Sequence, residues 1–246
     1  MKHSSTEVLK YLSRKNKGDW MGIYKDIVNK VEIPDEIDVK NDYECFTILD
    51  PIYSATNLKN CYRPPFICWF LGDLNLLNSS DIMCICGQSS PNKKTINLIK
   101  QLCQSYVIIN GDDSALERVA LQTAMAEGKK FIMVLNQSLY NIDYDDTLIQ
   151  YAINNGCLLI SEYGWDDPDD IEKSEYDKCR IIGFLANKLL VTSASEKNTR
   201  LRLLVDECLN RGGDVYALPS PPFEGEQTNE WIKSGAICVN KTTDIF

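Results

Sequence analysis

The stretch IINGDDSALERVAL, residues 108–121, decides the fold class, because it joins a strand, a tight corner and a helix in one short run. Its first residues are apolar and β-branched, which is typical of a buried strand. Asn110 and Gly111 permit a sharp corner, and Ser114 followed three residues later by Glu117 is the pattern of a helix start. Such corners often bind phosphate in α/β proteins, because free backbone N–H groups converge there.

The carboxylates at this corner favour a different interpretation. Asp112 and Asp113 lie in the corner itself, and Glu117 follows one turn into the helix. They would compete with a phosphate for the same N–H groups, and each would stabilise the helix start by roughly 0.3–1 kcal/mol. The stretch alone therefore leaves both an anion site and a plain capped helix open.

Strands and helices alternate on both sides of this stretch. Runs that predict strands lie at 46–50, 64–72, 81–87, 106–111, 130–135, 157–163, 188–194 and 214–220. Runs that predict helices lie at 90–104, 114–128, 145–156 and 198–213, and an Asp- and Pro-rich loop is predicted at 164–177. The alternation predicts an α/β domain with a mostly parallel sheet and helices on both faces. Gly87 and Gly111 should then lie at adjacent carboxyl ends, where ligands of such sheets bind.

The first 42 residues differ from the rest of the chain. Residues 5–31 have helical spacing and predict two helices, and residues 32–42 form an acidic, aperiodic linker that contains Pro34. We therefore expect a helical N-terminal segment at 1–42 and one large domain at 43–246.

Composition excludes several classes of function. His3 is the only histidine, which excludes most catalytic triads and His-ligated metal sites. The ten cysteines include no C-x-x-C pair and lie largely in apolar runs, so we predict neither zinc nor disulfides. No run is apolar enough to cross a membrane, and the N-terminus lacks a signal peptide, so we expect a cytoplasmic protein. No catalytic residue, metal or cofactor is assigned.

Net charge limits where nucleic acid could bind. The chain has 35 acidic and 26 basic residues, so any basic footprint must be local. The densest basic pairs are Lys93-Lys94, Lys129-Lys130 and Arg200-x-Arg202. Each pair could equally be an ordinary solvent-exposed surface feature or a phosphate contact.

Three other places at predicted strand ends carry candidate chemistry. In GQSSPNKK (87–94), Gly87 permits close approach, Ser89 and Ser90 can bond an anion, and Ser90 can cap the next helix. An ordinary strand-to-helix turn has the same features, and no dinucleotide or P-loop motif is present. Glu162 could bind a ribose, act as a base or cap a loop. Lys178 and Arg180 could contact phosphate or pair with the acids of 166–177.

The order of segments resembles the DprA/Smf family, the DNA-processing proteins of natural transformation. The likeness begins with YECFTILDPIYSATNLKNCYRPPFICWFLGDLNLL, residues 43–77, and continues through SEYG, CRIIGFLAN, GGDVYALPS and IKSGAICV. It covers about residues 43–246. The resemblance implies a Rossmann-like fold that binds single-stranded DNA, forms a homodimer and loads a RecA-type recombinase, without catalysis.

The family's binding motifs are only partly present. The family's glycine-serine-arginine corner falls on Gly87, Gln88 and Ser89, so its arginine is missing. The family's second motif falls on Asn110 to Leu121. There Gly111 keeps the motif's glycine, and Glu117 stands in place of its aspartate. Lys178 and Arg180 match two of the family's basic positions. The resemblance therefore implies DNA contacts from the following residues: Gly87, Gln88, Ser89, Ser90, Asn110, Gly111, Lys178 and Arg180. Glu117 and Glu162 would border a possible ligand pocket.

Loss of basic residues leaves an alternative from another functional class. The chain could be a nucleotide-binding or protein-interaction module that no longer binds DNA. A positive groove at the strand ends would favour DNA binding. A neutral pocket there would favour a nucleotide, and a negative surface would favour a protein partner. Tyr140, Tyr163 and Trp165 near the strand ends could stack on bases or simply pack.

Overall fold

The computed structural model describes residues 3–221 and 227–245. The described part excludes Met1, Lys2, residues 222–226 and Phe246. The start of the predicted segment 1–42 and the end of the predicted domain 43–246 therefore lie outside the described residues. The described part contains one nine-stranded sheet. Its strands are β1 (Glu44–Thr47), β2 (Ile67–Gly72), β3 (Ile82–Cys86), β4 (Val107–Asn110), β5 (Phe131–Leu135), β6 (Leu158–Ser161), β7 (Lys188–Val191), β8 (Asp214–Ala217) and β9 (Ile237–Cys238).

The sheet is parallel everywhere except at one edge. Its order is β1-β2-β6-β5-β4-β3-β7-β8-β9, and the strands from β6 to β9 are parallel. β1 and β2 add an antiparallel edge. Gly87 and Gly111 follow the paired strands β3 and β4, so the prediction that they lie at adjacent carboxyl ends is confirmed.

Helices cover both faces of the sheet. They are α1 (Ser5–Lys15), α2 (Trp20–Val28), α3 (Pro51–Ala55), α4 (Lys93–Leu102), α5 (Ala115–Ala126), α6 (Thr147–Asn154), α7 (Ile171–Leu185), α8 (Thr199–Asn210) and α9 (Gln227–Lys233). Apolar side chains of α4, α5 and α6 share one core with one face of the strands. Those of α3, α7 and α8 share a second core with the other face. The predicted fold class is confirmed.

Two local predictions are wrong. The loop predicted at 164–177 ends early, because α7 begins at Ile171 and the Asp170 side chain caps it by accepting from the Lys173 N–H. Ser90 does not cap the next helix. Asn92 does so instead, accepting from the N–H groups of Lys94 and Thr95, and Pro91 lies outside the helix.

The cysteines are free thiols, and eight of the ten are buried. Cys84 and Cys86 alternate along β3 and face the same core. Among the described residues, no helix is long and apolar enough to cross a membrane.

The N-terminal segment packs onto the antiparallel edge. Trp20 of α2 stacks on Phe66 with ring centroids 5.2 Å apart, and its Nε1 donates to the Pro64 carbonyl at 2.8 Å. The Asn41 side chain in the predicted linker donates to the Gly164 carbonyl at 2.6 Å. The boundary near residue 43 stays a prediction, and β1 begins directly after it at Glu44.

Candidate nucleic-acid interface

A cavity of about 410 Å³ lies at the carboxyl ends of β3, β7 and β8. Chain order reverses between β3 and β7, since β4, β5 and β6 extend to one side of β3 and β8 and β9 to the other. Ligands of open α/β sheets bind at this topological switch point. The cavity, here called the strand-end cradle, is lined by Gln88–Thr95 without Lys93 and Lys94, by Thr192 and Ser193, and by Leu218–Pro221.

Close packing between β3 and β7 shapes the cradle. A Cβ on Gly87 would collide with the Thr192 hydroxyl and lie 2.9 Å from Leu116, so any larger residue there would force these side chains to move. The N–H groups of Gln88 and Ser89 donate to the Ser193 carbonyl at 3.1 Å and to the Ser193 hydroxyl at 3.0 Å. An anion would therefore displace the Ser193 hydroxyl or bind the hydroxyls of Ser89 and Ser90.

The lining of the cradle carries no ionisable side chain. Charge comes from its border, where Lys93 and Lys94 begin α4 with exposed side chains. Neither lysine has a carboxylate partner within residues 3–221 and 227–245. The interior is neutral and its border positive, an arrangement that admits a phosphate or a small nucleotide.

The Asn110 side chain bridges β4 and β3 next to the cradle. Its buried side chain accepts from the Ile85 N–H at 3.3 Å and donates to the Ile85 carbonyl at 3.1 Å. Among the described residues, backbone pairing between β3 and β4 covers Ile82 and Met83 of β3. The Asn110 side chain connects the two strands further on, toward their carboxyl ends. Both ends of the Asn110 amide are therefore used within the protein.

The corner after β4 is filled by what we call the buried ion cluster: Asp113, Glu117, Lys178 and Arg200. Lys178 pairs with Asp113, and Arg200 pairs with Glu117 and, at 3.2 Å, with Asp113. The side chains of Lys178 and Glu117 are each 1% exposed. Burial raises the pKa of Glu117, and Arg200 opposes that shift. Two carboxylates balance two cations, so the corner presents no net positive charge to a ligand.

Glu117 does not complete the capping box that its spacing suggests. Of the two cap candidates, Ser114 and Asp113, the structure uses Ser114, whose hydroxyl accepts from the Glu117 N–H at 3.2 Å. The Glu117 carboxylate turns to Arg200 on α8 instead. Arg200 was visible in the sequence only as part of a basic pair, because nothing in the local pattern reveals a partner 83 residues away.

Arg180 lies in a separate buried group. Its guanidinium pairs with Glu162 at 2.5 Å and with Asp177 at 3.5 Å, and it donates to the Arg63 carbonyl. Burial raises the pKa of Glu162 to about 7, with Arg180 lowering it and Asp177 raising it. Lys178 and Arg180 thus offer no exposed cation in this conformation, and their contact with DNA stays a prediction.

The candidate stacking residues all have partners within the protein, and Tyr140 is the exposed one of the three. Tyr163 is buried and donates to Asp177 at 3.3 Å. Trp165 packs edge-on against Trp69 with centroids 4.7 Å apart and donates to the Lys40 carbonyl at 3.0 Å. Tyr140 accepts from the Asp42 N–H at 2.8 Å.

The predicted site residues thus divide into two sets. Gln88, Ser89 and Ser90 line the cradle directly after Gly87, together with Ser193 and Ser220. Ser193 and Ser220 belong to predicted strand-end corners at which ligands were expected, but neither was assigned a ligand contact. Only the strand order brings those two serines to β3, and no local motif signals it. The remaining predicted residues lie one or more strands away or are buried in the two ion groups: Asn110, Gly111, Glu117, Glu162, Lys178 and Arg180.

Comparison with known proteins confirms the resemblance seen in the sequence. The family model for DNA recombination-mediator protein A matches residues 44–246. The curated DNA processing protein DprA of Bacillus subtilis (strain 168) is 26% identical over 206 residues, 77% of this chain. The chain spans 66% of that relative's length.

Two solved structures are similar to this chain. DNA processing protein A of Streptococcus pneumoniae matches with a TM-score of 0.77 and 22% identity, covering 100% of this chain and 98% of the other. DNA processing protein A of Helicobacter pylori, solved for its single-stranded DNA binding mode, matches with a TM-score of 0.68 and 20% identity. That match covers 85% of this chain and 96% of the other. At these identities the likeness establishes the fold.

Proposed function

We propose that this chain, which belongs to the DNA recombination-mediator protein A family, binds single-stranded DNA at the strand-end cradle and mediates recombination during DNA uptake. The observation that carries the proposal is the open cradle at the switch point between β3 and β7. A relative of the same fold is described by its single-stranded DNA binding mode. The proposal includes no catalytic step and no cofactor.

The chemistry of the cradle fits a phosphate of the DNA backbone. The hydroxyls of Ser89 and Ser90 donate to its oxygens, and Lys93 and Lys94 supply the positive charge at the border. Few phosphates are neutralised in this way, so we expect modest affinity that falls with salt.

The same proposal extends to the partners. We infer a RecA-type recombinase and a second copy of this chain, because the family resemblance implies both. We also infer a cytoplasmic location, where the ten free thiols would stay reduced. Light scattering with and without a RecA-type protein and oligonucleotide would test both associations.

A titration of labelled oligo(dT) with the protein across salt concentrations tests the proposed binding. The variant Ser89→Ala/Ser90→Ala should bind several-fold more weakly than the unmodified chain. The matched control is Ser79→Ala/Ser80→Ala, which changes two serines at the opposite end of β3. Equal loss in both variants, or no binding by the unmodified chain at low salt, would contradict the proposal.

The predicted contribution of Lys178 and Arg180 needs its own variant. If the ion pairs open when DNA binds, Lys178→Ala/Arg180→Ala should reduce the salt slope by one to two units, since each phosphate contact contributes roughly 0.7. A salt slope like that of the unmodified chain would assign binding to the cradle without these two residues. Circular dichroism must accompany the titration, because both side chains are buried.

The neutral lining of the cradle favours one second candidate, a small nucleotide. In that case a mononucleotide should compete with oligo(dT) at similar total phosphate concentration. A DNA-binding cradle instead favours the longer strand, because several phosphates are contacted at once. Competition by nucleotide alone, without oligonucleotide binding, would support the alternative.

A further inference from the structure

A second cavity of about 480 Å³ adjoins the strand-end cradle. Asn92, Thr95, Leu218 and Pro219 line both cavities, so the two meet at the start of α4. The second cavity, here called the α4 trough, runs between α4 and the segment Val239–Thr242. Its volume falls within the roughly 300–1,000 Å³ of small-molecule sites.

The α4 trough combines three kinds of side chain. Leu98, Leu218 and Val239 supply apolar surface. Amides are supplied by three further residues: Asn97, Gln101 and Asn240. The lining also contains Lys94 and Lys241 but no carboxylate. This absence is informative in a chain of net charge −9, since a random surface would carry an acid.

Neighbouring contacts leave several of these groups available, although the Asn240 amide donates to the Cys238 sulfur at 3.4 Å. The Thr242 hydroxyl donates to the side-chain amide oxygen (Oε1) of Gln101, which leaves the Gln101 side-chain NH2 group as a donor. Asp244, a nearby acid in sequence, accepts from the backbone N–H groups of Asn240 at 2.8 Å and Lys241 at 3.0 Å. Neither Lys94 nor Lys241 has a carboxylate within 4.0 Å among the described residues, although these backbone hydrogen bonds and, to a lesser extent, the charge of Lys241 lower the pKa of Asp244.

We propose that the α4 trough is a nucleotide subsite that takes the residue following the phosphate in the cradle. Apolar side chains contact the face of the base, amides bond its edge, and Lys94 and Lys241 bind the adjoining phosphates. The strand thus leaves the cradle along α4. This inference rests on the proposed function and adds the path and a second binding surface.

The opposite direction is electrostatically less favourable to DNA while the ion pairs there are formed. The cavity beside the β4 and β5 ends has a volume of about 200 Å³, and its lining contains Asp112, Asp113, Asp143 and Asp146 with one cation, Lys178. Arg118, outside the lining, pairs with Asp112 and Asp146. A phosphate entering there would meet an excess of carboxylates. The α4 side is the one on which cations outnumber acids.

The test is the double variant Lys94→Gln/Lys241→Gln, titrated with labelled oligo(dT) across salt concentrations. Loss of two phosphate contacts should lower the salt slope by about 1.4, at roughly 0.7 for each contact. The matched control, Lys25→Gln/Lys30→Gln, removes the same charge from exposed lysines of the N-terminal segment. We expect it to retain the slope of the unmodified chain.

Each outcome separates this inference from the proposed function. If the unmodified chain binds and both double variants show the same salt slope, the α4 path is wrong while DNA binding stands. If the unmodified chain does not bind at low salt, the proposed function fails and the inference fails with it. Both substituted lysines are exposed, so the variants should fold, and circular dichroism will check this.

Discussion

Asp113 shows how one residue can decide what a strand end offers to a ligand. Its carboxylate pairs with Lys178 and lies 3.2 Å from Arg200, so it occupies the position in which a phosphate would neutralise the same two cations. The sequence analysis anticipated that acids here oppose a phosphate. It could not anticipate the cations, because Lys178 and Arg200 come from α7 and α8, far along the chain.

Replacing Asp113 by asparagine should therefore strengthen the binding of single-stranded DNA. The change leaves Lys178 and Arg200 with less neutralisation and removes a repelling charge. It should also destabilise the protein, by at most about 3–5 kcal/mol, because Lys178 is buried and loses its ion-pair partner, whereas Asp113 is partly accessible to solvent. Oligo(dT) titration and urea unfolding measure the two effects.

The control for this variant is Asp169→Asn, which removes an equal charge from an exposed pair with Lys17. It should change stability by less than about 1 kcal/mol and leave binding unaltered. If Asp113→Asn binds no better than this control, DNA does not approach the corner after β4.

Glu162 gives a stability signal that depends on pH. Burial raises its pKa to about 7 in the folded protein from an ordinary 4.5. Between these values the unfolded chain has lost the proton that the folded protein keeps, so the free energy of unfolding falls as pH rises. The contribution is at most about 1.4 kcal/mol per pH unit.

Urea unfolding between pH 5 and pH 7.5 will measure this slope. Glu162→Gln should remove it while still offering Arg180 an oxygen. The control Glu7→Gln should leave the slope unchanged, because hydrogen bonds from the Ser4 backbone and side chain lower the pKa of Glu7. A slope that persists in Glu162→Gln would assign the proton to another group.

At the scale of elements, predictability followed the chemistry of the buried positions. β3 and β5 are buried along their whole length and apolar throughout, so their runs predicted strands correctly. The first turns of α7 bury Ser174, Asp177 and Lys178. Polar residues on the inward face erase the hydrophobic periodicity that marks a helix, and residues 171–177 were therefore predicted as loop.

Pairing between β3 and β4 offers a test at this scale. Asn110→Ala leaves both the N–H and the carbonyl of Ile85 without their side-chain partners. Each unsatisfied buried group costs about 1–3 kcal/mol, so we expect a loss of at least that amount in urea unfolding.

Hydrogen exchange would locate the effect of Asn110→Ala. The Ile85 amide should lose protection, while amides of β5, such as Ile132, keep theirs. Asn155→Ala is a suitable control, because the Asn155 side chain is exposed and, within the described part of the chain, hydrogen-bonds only the Tyr151 carbonyl of its own helix. Unchanged protection of Ile85 would mean that Asn110 does not join the two strands.

At the scale of the whole molecule, strand order creates the site. Alternation predicted a parallel sheet, and the family resemblance implied its Rossmann-like form, yet neither placed Ser193 and Ser220 beside Gly87. That placement arises because the chain crosses from β6 to β7 on the far side of β3. Buried ion pairs were equally inaccessible, since their partners lie on separate helices.

The N-terminal segment and the cradle occupy different parts of this sheet. The segment contacts Phe66, Pro64 and Gly164, beside β2 and β6, whereas the cradle lies at β3, β7 and β8. Between them lie β5 and β4. Removal of the N-terminal segment should therefore lower the stability of the protein without changing its affinity for DNA.

A chain that begins at residue 43 should consequently be less stable but bind oligo(dT) as tightly as the full chain while folded. Loss of the Trp20 contact alone should cost less than the roughly 1.5–3 kcal/mol of a fully buried large apolar side chain, because Trp20 is only partly buried. Each kcal/mol lowers the Tm by about 2–4 °C for a domain of this size. Trp20→Ala in the full chain, measured in parallel by thermal unfolding, should reproduce part of the loss. If the shortened chain has the same Tm as the full chain, the N-terminal segment does not stabilise the domain. If the shortened chain binds oligo(dT) more weakly at a temperature where it is folded, the segment supports the cradle.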